Sequence, residues 1–178
     1  MFDRFRPYQV AHRLVELDCN ELLAHGIRGV ILDLDNTLTA WRSTNVPGEV
    51  ERWVERLRNA GLLACVVSNA ATATRVRPVA DRLGLPWVTR AVKPLSTGFL
   101  RGMRLMGTSN KETAVVGDQV FTDIFGGNRL GLFTILVDPV SSREAFITKL
   151  LQRPLERIVG RIPKESDSPV NLSGPPIA

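Results

Sequence analysis

Six residues of this 178-residue chain have the types and spacing to do chemistry on charged oxygen centres. Asp33 and Asp35 close the apolar run "GVILDLD" at 29–35. Two positions apart on an extended backbone, their carboxylates leave the same side. Like charges held that close repel unless a cation or a shared proton offsets them. Downstream lie Ser68 in "VVSN", Lys93 in "AVKP", and Asp118 and Asp123 in "GDQVFTD", with Asn69 beside Ser68. Carboxylates gathered without thiolate or imidazole suit a hard cation such as Mg2+. A lysine beside them suits a phosphate and keeps a carboxylate ionised. The Ser68 hydroxyl can donate to a phosphate oxygen. Gly117 permits close backbone approach, and turn N–H groups after the first two strands can form an anion-binding nest. That combination fits phosphoryl transfer.

Something must bring these residues together. Five short apolar runs read as strands: 29–34, 62–68, 87–91, 113–118 and 132–137, the third being the weakest. They are rich in Val, Ile and Leu and lack strict alternation, as strands covered on both faces do. Between them, 47–61 carries Val50, Trp53, Val54 and Leu57 at helical spacing, opened by Pro47 and closed by Gly61. A second helix is expected over 72–84, bent or shortened by Pro78, and a third over 95–107 with Phe99, Met103 and Met106 on its core face. A last helix is expected over 143–160, kinked at Pro154. Residues 161–178 are rich in proline and read as a flexible tail behind a single 1–160 domain. Strand–helix alternation predicts a Rossmann-like, doubly wound three-layer sandwich around a mostly parallel five-stranded sheet. Such sheets bind ligands beyond the carboxyl ends of their strands, and every residue singled out above falls there. Taken singly each has a structural reading: Ser68 as a helix cap, Lys93 as a solvated charge, Asp118 as a turn residue. Their recurrence along one edge favours a site.

Composition narrows the class. The chain is 44% hydrophobic, enough for one full core, and no apolar run approaches the roughly 18 residues of a membrane span. No secretory signal opens it. Cys19 and Cys65 fall in no metal-type spacing and read as reduced core residues; His12 and His25 are isolated. The expected compartment is the cytoplasm. A net charge of +5 favours anionic partners, yet no recognition helix or stacking platform for nucleic acid is present. The basic, aromatic start, with Phe2, Arg4, Phe5, Arg6 and Tyr8, suits either a peripheral place on an anionic membrane or a helix edge packed on the sheet.

The ordered set D-x-D-x-T at 33–37, Ser68, Lys93 and G-D-x-x-x-x-D at 117–123 resembles the haloacid dehalogenase superfamily of phosphohydrolases. "LDLDNTLTAW", "VVSN", "AVKP" and "VVGDQVFTDIFGGNRLGLFTILV" are closer still to its capless IIIA branch, with the YqeG-like and phosphatidylglycerophosphate phosphatases. The likeness runs over about residues 7 to 160, and one departure is Ala70, where a second Asn is expected. The resemblance implies that Asp33 attacks phosphorus and forms an aspartyl-phosphate, and that Asp35 carries the proton. It implies Mg2+ held by Asp33, Asp118 and the Asp35 backbone carbonyl, with Asp123 as a further ligand or anchor. Ser68, Asn69 and Lys93 would hold the phosphoryl oxygens, with Thr37 orienting the loop and Asn128 closing the site from the "GGNR" turn. The gaps after Thr37 and between Ser68 and Lys93 are too short for a cap domain. An open site suits a phosphorylated lipid at a membrane surface. Soluble phosphate monoesters, nucleotides and phosphoproteins are the alternatives within the class. A receiver-like signalling module, disfavoured by the acids that follow Lys93, or a phosphate-binding protein without turnover would belong to another class.

Overall fold

The computed structural model describes residues 2–140. The expected 143–160 helix and the 161–178 tail lie outside the described residues.

Among the described residues six parallel strands form an open sheet, one more than the sequence suggests. In chain order they are β1 (Gln9–Ala11), β2 (Gly29–Leu32), β3 (Leu63–Val67), β4 (Trp87–Val88), β5 (Thr113–Gly117) and β6 (Phe133–Val137). Their spatial order is β1-β6-β5-β2-β3-β4. The chain leaves central β2 toward β3 on one side and returns to β5 on the other, so strand order reverses there. That crevice is where ligands of doubly wound sheets bind.

The missed strand is β1, three residues paired in register with Ile135 to Val137 of β6. It is too short and too exposed to show a hydrophobic period. The expected strand at 87–91 ends at Val88, because Arg90 and Val92 adopt left-handed backbone (φ 48° and 53°).

Among the described residues five α-helices flank the sheet: α1 (Cys19–Ala24), α2 (Gly48–Asn59), α3 (Ala73–Leu83), α4 (Ser96–Met106) and α5 (Gly126–Leu130). Successive strand residues face opposite layers. Val30 and Leu32 join a core with Leu22, Trp53, Leu57, Val76 and Val79, from α1, α2 and α3. Ile31 faces the other way, into a smaller core with Phe99, Met103 and Met106 of α4. Trp53 is fully buried, and its indole N–H donates to the Leu17 carbonyl at 3.0 Å, so its polar end is satisfied. Truncating it to Ala would cost about 3–5 kcal/mol.

α3 runs unbroken through Pro78. The carbonyl that loses its partner there belongs to Thr74, in the first turn, where α3 can still extend around it. α4 approaches the sheet closely because a Cβ on Gly98 would stand 2.5 Å from the Ala91 Cβ, and one on Gly102 2.8 Å from Val67. That approach fixes the floor beneath the loop carrying Lys93. Cys19 and Cys65 are both free and buried, and burial pushes the Cys65 thiol up to about 12. His12 pairs with Asp138 on the surface, and His25 packs against the rings of Tyr8 and Phe133. No described helix is long and apolar enough to cross a membrane.

Candidate active site

Three elements deliver the charged groups. Asp33 extends β2, its N–H donating to the Val116 carbonyl of β5. Asp118 follows β5. Asp123 sits in a wide helical turn, Val120–Phe125, that folds its carboxylate back under Gly117. A Cβ on Gly117 would lie 2.3 Å from the Asp123 carboxylate, so only glycine fits. Wide turns of this kind recur at functional sites.

Oxygens of Asp33, Asp118 and Asp123 come within 4.8 Å of one another, and all three residues are buried. The buried Lys93 ammonium bridges two of them, 2.5 Å from Asp33 Oδ1 and 2.7 Å from Asp123 Oδ1. One lysine cannot balance three carboxylates. Asp33 Oδ2 and both Asp118 oxygens are buried with no hydrogen-bond partner among the described residues. Unpartnered carboxylate oxygens in a dry interior are costly, and a hard divalent cation is what such a donor set fits. Asp123 is more fully engaged, accepting at Oδ2 from the Gln119 N–H and the Thr122 hydroxyl, each at 3.3 Å. It anchors Lys93 as much as it faces the cluster.

The electrostatics agree. Burial pushes the Asp118 carboxyl up to about 8, with the Asp33 and Asp123 charges adding to the rise. Burial also raises Asp33; Lys93 opposes the rise, and Asp123 and Asp35 add to it. For Lys93 burial disfavours the charge, but the Asp123 and Asp33 carboxylates outweigh it and hold the ammonium protonated.

The remaining expected residues divide. Asp33, Asp35, Ser68, Asn69 and Lys93 share one cleft of about 320 Å3. Asp33 is the deeper of the acid pair; Asp35 lies toward the rim, where its Oδ1 accepts from the Arg42 N–H at 3.1 Å and from the Arg75 guanidinium. Ser68 is buried, and its Oγ accepts from the Ala70 N–H at 3.1 Å, which leaves the hydroxyl proton able to donate. Asn69 clasps the Lys93 backbone, donating to its carbonyl at 3.1 Å and accepting from its N–H at 2.7 Å. Its amide therefore holds the backbone that carries the lysine.

Thr37 lines a different hollow of about 460 Å3 with His12, Arg13 and Glu49. Its buried hydroxyl has no partner among the described residues. Asn128 is not brought to the cleft: its amide donates to the Arg4 and Arg6 carbonyls, both at 2.8 Å, and accepts from Thr134. It pins the N-terminal segment to the sheet. Phe5 stacks on Phe125 nearby, at 4.6 Å between ring centroids. Sequence reasoning passed over Trp41, Arg42, Arg75, Gln119 and Thr122, which also line the cleft. They follow β2, β3 and β5, with Arg75 in the first turn of α3.

Comparison with known proteins places this geometry in a lineage. An uncharacterized protein of known structure from Listeria monocytogenes serotype 4b superposes with a TM-score of 0.54 at 18% identity, over 71% of this chain and 99% of that one, a likeness of fold alone. The probable phosphatase YqeG of Bacillus subtilis is 34% identical over 90% of this chain and 93% of its own length. The chloroplastic/mitochondrial phosphatidylglycerophosphate phosphatase 1 of Arabidopsis thaliana is 29% identical over 94% of this chain, which spans 51% of that longer protein. Residues 42–131 match the haloacid dehalogenase-like hydrolases as a family. On that match and the near full-length likeness to the Bacillus protein, the chain belongs to the haloacid dehalogenase-like hydrolase family, as an enzyme of the phosphatase kind.

Proposed function

We propose that this phosphatase is a Mg2+-dependent phosphomonoester hydrolase that works through an aspartyl-phosphate on Asp33 and acts on a phosphatidylglycerophosphate-type lipid. The observation that carries the chemistry is the convergence of Asp33, Asp118 and Asp123, two of them bridged by Lys93, with three carboxylate oxygens left unpartnered. Mg2+ held by Asp33, Asp118 and the Asp35 backbone carbonyl, with Asp123 in support, would offset charge on the phosphoryl oxygens.

The chain's own residues do the rest. Ser68 and Lys93 hold the phosphoryl group against Asp33. An Asp33 carboxylate oxygen bonds to phosphorus while the ester P–O bond breaks, and the departing oxygen takes a proton from Asp35. Asp35, now ionised, accepts a proton from water as its oxygen attacks phosphorus and the Asp33–phosphorus bond breaks. Inorganic phosphate leaves and both acids return to their starting state. The depths suit these jobs, Asp33 at the floor and Asp35 near the rim.

A lipid substrate is supported by the relative's name and by the rim. Trp41 lines the cleft, and Val92, Leu95 and Phe121 lie beyond the carboxyl ends of β4 and β5, all four exposed. Apolar and aromatic side chains beside arginine suit a headgroup layer. Phosphate release from phosphatidylglycerophosphate in anionic vesicles, with Mg2+ or a chelator, tests the reading. Turnover is expected on vesicles with Mg2+ and none with chelator. Turnover of soluble monoesters alone would remove the lipid, and none on any phosphomonoester would remove the enzyme.

A further inference from the structure

Two arginines line the cleft that the proposed chemistry does not use. Arg75, on the first turn of α3, reaches across to Asp35, forty positions earlier in the chain, through one guanidinium nitrogen. Its Nε is buried with no partner among the described residues. Arg42 lies on left-handed backbone, φ 57°, a conformation that costs a non-glycine residue about 1 kcal/mol or more. Its guanidinium stands over the Trp41 ring at 6.0 Å and forms no ion pair among the described residues. The Asp35 carboxylate accepts from both segments, from the Arg42 backbone and the Arg75 side chain.

The position of Asp35 gives these cations a direction. The group that protonates the leaving oxygen faces the alcohol half of the substrate, so whatever brackets Asp35 also faces that half. With a divalent cation bound, the floor would match its charges: Asp33, Asp118 and Asp123 against Lys93 and the cation. At the rim two guanidinium groups stand against the single Asp35 carboxylate, an excess of one positive charge.

Resting on the phosphatase reading above, we infer that Arg42 and Arg75 form an anion subsite on the leaving-group side of the cleft. It selects phosphomonoesters whose alcohol carries a second phosphate. Two hydrogen-bond lengths separate the leaving oxygen from the guanidinium plane by way of Asp35, about 6 Å in all. A linker of about three carbons, such as glycerol, spans that distance. The second phosphate then takes the unused Arg75 and Arg42 donors, as guanidinium groups do with phosphate oxygens. A lipid phosphodiester and a free bisphosphate share this chemistry.

The test compares kcat/KM of the full chain with Mg2+ on glycerol phosphate, a glycerol bisphosphate and the deacylated headgroup, a glycerol phosphate bearing a glycerophosphodiester. The wild-type chain is expected to prefer both doubly phosphorylated compounds at least tenfold. Arg75→Gln and Arg42→Gln are each expected to cut that ratio about tenfold, mainly through KM. A preference for the headgroup over the bisphosphate assigns the subsite to a phosphodiester, and the reverse to a monoester. If Arg75 only orients Asp35, all substrates slow together and the ratio holds, which overturns the subsite; so does a wild type without preference. Calorimetric binding of the bisphosphate to Asp33→Asn, with and without Arg75→Gln, reads the subsite even if nothing turns over. Equal affinity in the two variants also sinks the proposal, while absent turnover with intact discrimination sinks only the enzyme reading.

Discussion

The two edges of the sheet solve one problem, reversing the chain, in opposite ways. At the amino edge, where helices hand over to strands, left-handed backbone falls on glycine: Gly26, Gly61, Gly84, Gly107 and Gly131. At the carboxyl edge it falls on Asn36, Arg42, Arg90 and Val92. Glycine adopts that conformation freely, whereas a branched residue such as Val92 is strained there. Each strained position also touches the cleft's framework. Asn36 follows Asp35, the Arg42 N–H holds the Asp35 carboxylate, the Arg90 N–H bonds the Ala70 carbonyl, and Val92 precedes Lys93. One edge is built to close turns at low cost. The other accepts strain where the side chains must be aimed.

Substitutions on the two edges break or sharpen that contrast. The largest effect is expected at the carboxyl edge from Asp33→Asn, which removes the proposed nucleophile. Phosphate release should fall by about three orders of magnitude or more, and retention of even a tenth of the rate would displace Asp33 from that role. Gly117→Ala drives a methyl group into the Asp123 carboxylate. A loss of about a hundredfold in kcat is expected, with about 1–3 kcal/mol of stability lost in denaturant melts. Next comes Asn69→Ala, which frees the Lys93 backbone from its clasp. About tenfold in kcat/KM should go, and a wild-type rate would show that Lys93 is held by its carboxylates alone.

The acidic cluster adds a pH signature. Asp118 is raised from an ordinary 3.8 to about 8, so its ionisation opposes the fold. Its contribution is fully present below about pH 4 and is lost as pH rises through about 8. A cation bound there reverses that loss. The rise in Tm caused by Mg2+ should therefore grow from pH 5 to pH 8, by an amount on the order of 5 °C. An equal shift at both pH values would count against the cluster as the metal site. The smallest effect belongs to the amino edge. Gly107→Ala meets no atom within 4 Å but imposes φ 69° on alanine, so about 1 kcal/mol of stability and no activity should be lost.

Much of this was legible in the sequence, for a definable reason. Asp33, Ser68, Lys93 and Asp118 each sit at or just past the end of an apolar run, so strand recognition places them without tertiary information. Trp53 and Phe99 likewise announce their burial through helical spacing. The clasp of Asn69 on Lys93, the pairing of Arg75 with Asp35 and the anchoring of Arg4 and Arg6 by Asn128 link residues 24, 40, 124 and 122 positions apart. No local period carries such a link. Strand β1 escaped for a similar cause: three half-exposed residues become a strand only because β6 offers its edge.

That late partnership orders events during synthesis. The central strands β2 and β3 can pair as soon as residue 67 has emerged, but β1, made first, must wait for β6. The opening segment is therefore among the last to dock as the chain leaves the ribosome. Until Val137 is out, the β5 edge that β6 will occupy stays open to other chains, so a stall before that point exposes a bare strand to aggregation.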